Sequence, residues 1–549
     1  MVHKRYGFFL MLFFFCAVSG FSDPFSMISA NDPLLEDLRS IVRSSGKSFL
    51  SLTPPLSRDE VIAILEEIDP LTLSPPHKER YEYILNNLFP SLIIDIPYFS
   101  AAVHIKAALE GRYRSNTDVP WLKKDNKSQA VIAFPINLFF ADRIEFFLEP
   151  MIASDPFFYN NPVSSWGTNI PWATERFDLN IPLRAFAAAG GKWWNFQIGR
   201  DRLSFGPGRT GNLAVSDNPD YYDFARLSFF SSFLKYSVLV SQMPLNTDLL
   251  LKDPGVLLKD PSDPASGDFS ETTNRYFYLH RLDIRFFNRL SIGISEGVMA
   301  GNSPLELRYL NPVMVFHSFF SWKDYPEWGR DNGHVNGSIL SVDLEWAFLP
   351  GWAVYGQFIM NEFSTPYESA HYPNQPPSGM GYLLGAEYIF SVSTWIFSSY
   401  AELVYTEPFL YTLSSPFGSM IWMRRTSDLG SKQKLRYDFF GHCEGRDMFL
   451  AALGISARTE KIVLSLDLAC KLQGEHGLLW DWNIGDSGQR TPSGTHETSI
   501  RALFGAAYRI MPSLFISGHF GGTVILDAAH IKGNREFGIE AGLSAGYYF

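Results

Sequence analysis

"EFGIEAGLSAGYYF" (536–549) alternates with a period of two along its whole length. Gly538, Glu540, Gly542, Ser544 and Gly546 fall on one face. Phe537, Ile539, Ala541, Leu543, Ala545, Tyr547 and Phe549 fall on the other. Successive side chains of a strand point to opposite sides, so the stretch reads as a strand with one continuous apolar face. That face suits lipid, and the small or polar face suits a barrel interior. A soluble sandwich shows the same alternation, so connectivity has to decide.

The pattern recurs upstream. "RLDIRF" (281–286) sets Arg281, Asp283 and Arg285 against Leu282, Ile284 and Phe286. "SVDLEW" (341–346), "IVLSLDL" (462–468) and "RFDLNIPLR" (176–184) alternate likewise, and each is expected to be a strand. Very short turns close these segments into hairpins: "FADR" (140–143), "AGGK" (189–192), "FLK" (233–235), "FNRL" (287–290), "LPG" (349–351), "SVST" (391–394), "RTEK" (458–461) and "IMPS" (510–513). Longer loops rich in Pro, Gly, Asn and aromatics lie between the hairpins. Counting gives about eight turns, nine loops and eighteen strands. Short turns at one end and long loops at the other are the asymmetry of outer-membrane barrels. The expected fold is an all-β transmembrane barrel of about 18 antiparallel strands over residues 92–549. An even strand number puts both ends of the barrel on the periplasmic side.

The remainder fits export. His3, Lys4 and Arg5 precede an apolar run from Phe8 to Val18, too short to span a bilayer, with small residues after it. Residues 1–22 therefore read as a signal peptide. Cys16 makes a poor lipidation site, because three phenylalanines precede it. Residues 23–91 read as a small periplasmic helical segment. Asp32-Pro33 opens a first helix that Gly46 stops. "SRDE" (57–60) is a capping box for a second, and Ser74-Pro75 opens a third.

Across 549 residues the net charge is −11, which argues against a nucleic-acid partner. Three cysteines supply neither a disulfide framework nor zinc spacing. No cofactor or metal is expected. Histidines scattered through the loops form no recognisable catalytic set, so the chain reads as a binding protein and not an enzyme.

"SFGPGRTGN" (204–212) is expected to begin an external loop. It lacks the Gly-Lys-Ser/Thr ending of a phosphate loop. "FGPGRTGNLAVSDN" (205–218) resembles a motif of the capsule assembly Wzi family, with Phe205 where that family carries Trp. The matching positions are Gly206, Pro207, Gly208, Ser216 and Asn218. "LHRLDIRFFNRLSIGISEGVMAG" (279–301) with Glu296 is similar to a strand pair of that family, and "RYLNPV" (308–313) with Asn311 and Pro312 to its next segment. "RYDFFGHCEGRDMFLAALG" (436–454) with His442, Gly445 and Asp447 looks like its approach to a late strand. "DPLLEDLRSIVRSSG" (32–46) and "LTPPLSRDEV" (52–61) resemble the start of its mature domain. The resemblance implies a periplasmic helical bundle, a barrel with an occupied interior and a lectin-like outer surface. It also implies attachment of capsule or exopolysaccharide without hydrolysis.

Sugars offer ring faces to aromatics and hydroxyls to carboxylates, amides and guanidinium. Loop 316–336 is richest in these, with Trp322, Tyr325, Trp328, Arg330 and Asp331. Trp480, Asp481 and Trp482 repeat the recipe, as do Tyr221 and Tyr222, and Arg209 is suited to acidic sugars. Interfacial Trp and Tyr also form girdles in such barrels. The expected partners are surface polysaccharide, outer-membrane lipid and, through the strand ending in Phe549, the barrel-assembly machinery. A general diffusion porin remains an alternative, because lumenal Arg281, Asp283, Arg285, Asp343, Glu345, Arg176, Asp178 and Arg184 also suit a wet pore. A host-directed adhesin is a third.

Overall fold

A computed structural model describes the chain except residues 1–24, 124–128, 156–163, 247–271, 302–303, 313–335, 363–378, 413–415, 428, 430–432 and 479–488. No helix among the described residues is long and apolar enough to cross a membrane. Strands dominate.

The first barrel strand, β1, runs Phe99–Val103 and resumes at Lys106–Arg114. Strand β2 is Ile132–Ala133 and Ile136–Phe140, and β3 is Ile144–Leu148 and Met151–Ile152. Pro135 and Pro150 interrupt these two, since proline has no N–H to give the ladder. Then follow β4 Ala185–Gly191, β5 Trp194–Asp201, β6 Tyr222–Phe230, β7 Leu234–Gln242, β8 Arg275–Phe286 and β9 Leu290–Gly301. Next come β10 Asn336–Leu349, β11 Trp352–Glu362, β12 Gly379–Val392, β13 Trp395–Thr406 and β14 Met448–Arg458. The series ends with β15 Ile462–Gln473, β16 Glu497–Met511, β17 Leu514–Leu526 and β18 Arg535–Tyr548.

Each strand pairs antiparallel with the next. The last pairs with the first, from Glu540↔Arg114 to Tyr548↔Lys106. With the broken strands counted once, the described residues give eighteen barrel strands. All eight expected short turns fall between paired strands at one end. The faces divide as the alternation requires: Phe537, Leu543 and Phe549 are exposed outward, while Glu540 is buried inward.

One expected strand is absent. Residues 176–184 are irregular between a short 3-10 turn (Thr174–Arg176) and β4. Pro182 cannot donate to a ladder, and Asp178 turns inward to pair with buried Arg424.

Three helices precede the barrel: α1 Leu34–Ser44, α2 Arg58–Glu66 and α3 Pro75–Asn87. Asp32 accepts the Leu34 N–H at 2.9 Å, and Ser57 with Glu60 forms the expected capping box. Gly46 ends α1 at φ +73. The helices share a small core of Leu38, Ile41, Val42, Val61, Leu65 and Ile84.

Candidate functional site

Much of the lumen is filled, and its filling is organised in layers. Toward the short turns, inward charges of the wall hold the helices. Arg43 donates to Glu345 at 2.8 and 2.7 Å and to Glu387 at 3.0 Å, and Arg39 reaches Glu387 at 2.9 Å. Burial disfavours the Arg43 charge, but the carboxylates of Glu345 and Glu387 outweigh it and keep the guanidinium protonated. Lys235 pairs with Glu60, and Arg226 donates to the carbonyls of Thr53 and Pro55 at 3.0 and 2.5 Å. The lumenal charges that suited a wet pore are therefore largely spent on one another and on the helices. Arg281 is paired with Asp283 and Asp343, and Arg285 with Glu67.

The middle layer is the glycine-rich stretch, and its position corrects the expectation of an external loop. Residues 204–218 turn back into the lumen and tie helices, wall and a second loop together. The Gly206 N–H donates to the Leu52 carbonyl at 2.8 Å, and Arg39 donates to the Pro207 carbonyl at 3.1 Å. The Gly208 N–H donates to Asn212 at 3.0 Å. Gly206 adopts φ +130, and a Cβ there would run into Gln357 and Asn212. Ser216 donates to the Gly441 carbonyl, and Asn218 to that of Phe439 at 2.8 Å.

Above this lies an apolar core inside the barrel. Phe205, Leu213 and Val215 pack with Phe277, Ile359, Leu383, Val404, Trp422 and Phe440. A hairpin of Ile421–Ser427 and Gln433–Phe439 folds into the same core.

The sequence-derived candidates divide sharply. Trp322, Tyr325, Trp328, Arg330, Asp331, Trp480, Asp481 and Trp482 lie outside the described residues. Tyr221 and Tyr222 were expected on an external loop and are instead buried. The Tyr222 hydroxyl donates to the carbonyls of Ser216 and Phe440 at 2.8 and 3.1 Å. The Tyr221 ring is covered by Arg200 at 3.8 Å and meets Trp422 edge-on. Neither ring has a free face for a sugar. Arg209 is likewise engaged, bonded to Glu36 of α1 at 2.8 and 3.1 Å. The reason is common to all three: the loop that carries them folds inward on the acids, rings and carbonyls of its neighbours.

The remaining motif positions are structural. His442 faces Thr210 at 3.1 Å, and Gly445 at φ +84 leaves room for Phe439. Asp447, fully buried, accepts from the N–H groups of Ser493 and His476 at 3.1 and 3.2 Å. Glu296, Asn311 and Pro312 are elsewhere: the Pro312 carbonyl accepts from Tyr236 at 2.7 Å, and Glu296 stands opposite His280 in the ladder.

A cavity of about 980 Å³ remains beside the plug, between α1, the 202–220 loop and the inner wall of β1 and β13–β16. Its lining includes eight acidic and eight basic side chains, so it favours neither charge. Sequence reasoning missed it. The inner parity of Asp467, Ala469, Arg501 and Leu503 was readable, but a gap exists only once the plug is in place.

No protein-family model and no curated protein sequence matches the chain. Among solved structures it is similar to Wzi of Escherichia coli, described as an outer-membrane protein involved in group 1 capsule assembly and a carbohydrate-binding β-barrel. The match has a TM-score of 0.57 at 14% identity and covers 94% of this chain and 99% of that one. The chain has the Wzi fold. Other barrels align less well: OprD of Pseudomonas aeruginosa at TM-score 0.38 and 10% identity over 82% of this chain and 95% of that one, and OmpT of Vibrio cholerae at 0.33 and 8% over 83% and 99%.

Proposed function

We propose that this Wzi-like barrel is exported to the outer membrane, where its long loops bind surface polysaccharide and help attach it to the cell. The observation that carries the reading is the filled lumen: three helices, an inward loop and an apolar core occupy the space that a diffusion pore would leave open. The long loops would supply the binding surface, with Trp322, Tyr325 and Trp328 as stacking residues. Repeated sugar units would supply avidity. Lipid contacts the outward apolar face, and the strand ending in Phe549 is offered to the assembly machinery. The protein acts by binding, without bond cleavage.

The test is the partition of polysaccharide between cells and medium in a strain lacking the protein. Polysaccharide should shift to the medium and return on complementation, and a triple Trp322→Ala, Tyr325→Ala, Trp328→Ala variant should not restore it. An unchanged partition removes attachment as the role. The porin reading draws on the cavity beside the plug, and sustained conductance of the intact protein in a planar bilayer would favour it.

A further inference from the structure

The plug is off-centre. It packs against the wall from β3 to β13 and reaches β14 where Arg458 pairs with Asp37 of α1, and part of the inner face of β14–β16 is left to the cavity. Of the small residues on that face, Ala452 and Ala469 line the cavity, with Leu450, Asp467, Arg501 and Leu503 beside them. Small side chains on one wall and a plug on the other create the cavity.

Within it, Tyr400 of β13 lies over Gly454 of β14, where any Cβ would collide with the ring. The Tyr400 hydroxyl donates to Asp467 at 3.2 Å, and Arg209 stands over the ring at 5.5 Å. One half-buried aromatic ring and one exposed carboxylate therefore share a wall of the cavity, with the Glu36-bound Arg209 on the plug side. An aromatic body with a few convergent polar groups in a concave site is how hydroxyl-rich ligands are held and oriented. The volume lies at the upper end of the roughly 300–1,000 Å³ usual for ligand sites.

The two ends of this space differ. Toward the long loops, Glu444 bridges Lys471 and Arg501 at 3.0 Å each, and the Leu122 N–H is tied to Glu540 at 2.6 Å. Toward the short turns, inward-facing Arg509 is exposed, as are Asp467 on the wall and Asp32, Pro33 and Glu36 on the plug.

We propose that this cavity is a second saccharide site, open on the short-turn side, which takes a short oligosaccharide segment against Tyr400 and Asp467. It rests on the polysaccharide reading above and deepens it: the barrel would hold sugar from within as well as at its outer loops. Balanced lining charge suits neutral or mixed-charge sugars over strongly acidic ones.

Titration calorimetry on the full chain, folded in detergent, tests this. The probes are intact polysaccharide from the producing strain and short oligosaccharides released from it by mild acid. Oligosaccharide binding should weaken at least ten-fold in Tyr400→Ala, Asp467→Ala and the cavity-filling Ala469→Trp, and less in Tyr400→Phe, while intact polymer binding stays unchanged. Heat-dependent gel mobility reports whether each variant is folded. Oligosaccharide binding that is absent, or unaltered in the folded Tyr400→Ala and Ala469→Trp variants, overturns the cavity site and leaves attachment standing. Failure of the wild-type chain to bind either probe overturns both.

Discussion

Arg43 on α1 and Glu345 on β10 form a two-point ion pair, Nη1–Oε1 2.8 Å and Nη2–Oε2 2.7 Å, between side chains that are both nearly buried. A fork-shaped guanidinium facing a carboxylate fixes angle as well as distance. This pair sets the seat of the first helix against the wall.

Removing Glu345 takes two hydrogen bonds from the buried Arg43 guanidinium and leaves its charge to Glu387, which Arg39 shares. Glu345→Ala should therefore cost about 3–5 kcal/mol of plug docking. Limited proteolysis of the folded protein should then cut within residues 44–60, while the barrel keeps its heat-dependent gel mobility. Replacing both Arg43 and Glu345 by leucine should restore much of the loss, because no unpaired charge remains.

Docking of α3 should depend on pH. His77 is buried with its Nδ1 2.8 Å from the Ser74 hydroxyl. Burial, aided by nearby Arg458, pushes its pKa down to about 4. The unfolded segment takes a proton near pH 6.5, so the folded form binds fewer protons below that value. The His77 contribution is intact above about pH 6.5 and is lost as pH falls toward 4. Protease resistance of residues 75–87 should fall over that window and stay flat across it in His77→Gln.

Gly206 holds the inward loop at φ +130. Alanine there meets both backbone strain and the Gln357 side chain. Gly206→Ala should lower stability by about 1–3 kcal/mol, read as a fall in the melting temperature of the detergent-folded protein. The same substitution at Gly111, which has open space for a Cβ, should have little effect.

Tyr222 separates a structural role from a sugar-binding one. Its hydroxyl serves two buried carbonyls. Tyr222→Phe should cost about 1–3 kcal/mol in thermal unfolding and leave polysaccharide binding of the folded protein unchanged. A binding loss without a stability loss would return Tyr222 to the sugar site.

Much was legible in the chain itself. Period-two alternation, the eight short turns and the caps of three helices are local properties, fixed by residues a few positions apart. They set the strand count, the inward and outward faces, and the helix boundaries. Where local signals competed, the reading failed: "RFDLNIPLR" alternates like a strand, yet Pro182 and the partner of Asp178 hold it irregular. What the loops do was decided only in three dimensions. Whether "SFGPGRTGN" points outward or inward depends on carbonyls and carboxylates more than a hundred residues away, at Leu52, Glu36 and Gln357. The same holds for Tyr221 and Tyr222, whose composition fits a sugar platform and whose surroundings make them core. Sequence determined the wall of this protein, because a strand's two faces follow from its own alternation. Tertiary structure decided its interior, because a buried charge or an unpaired N–H goes to whichever partner the closing fold brings near.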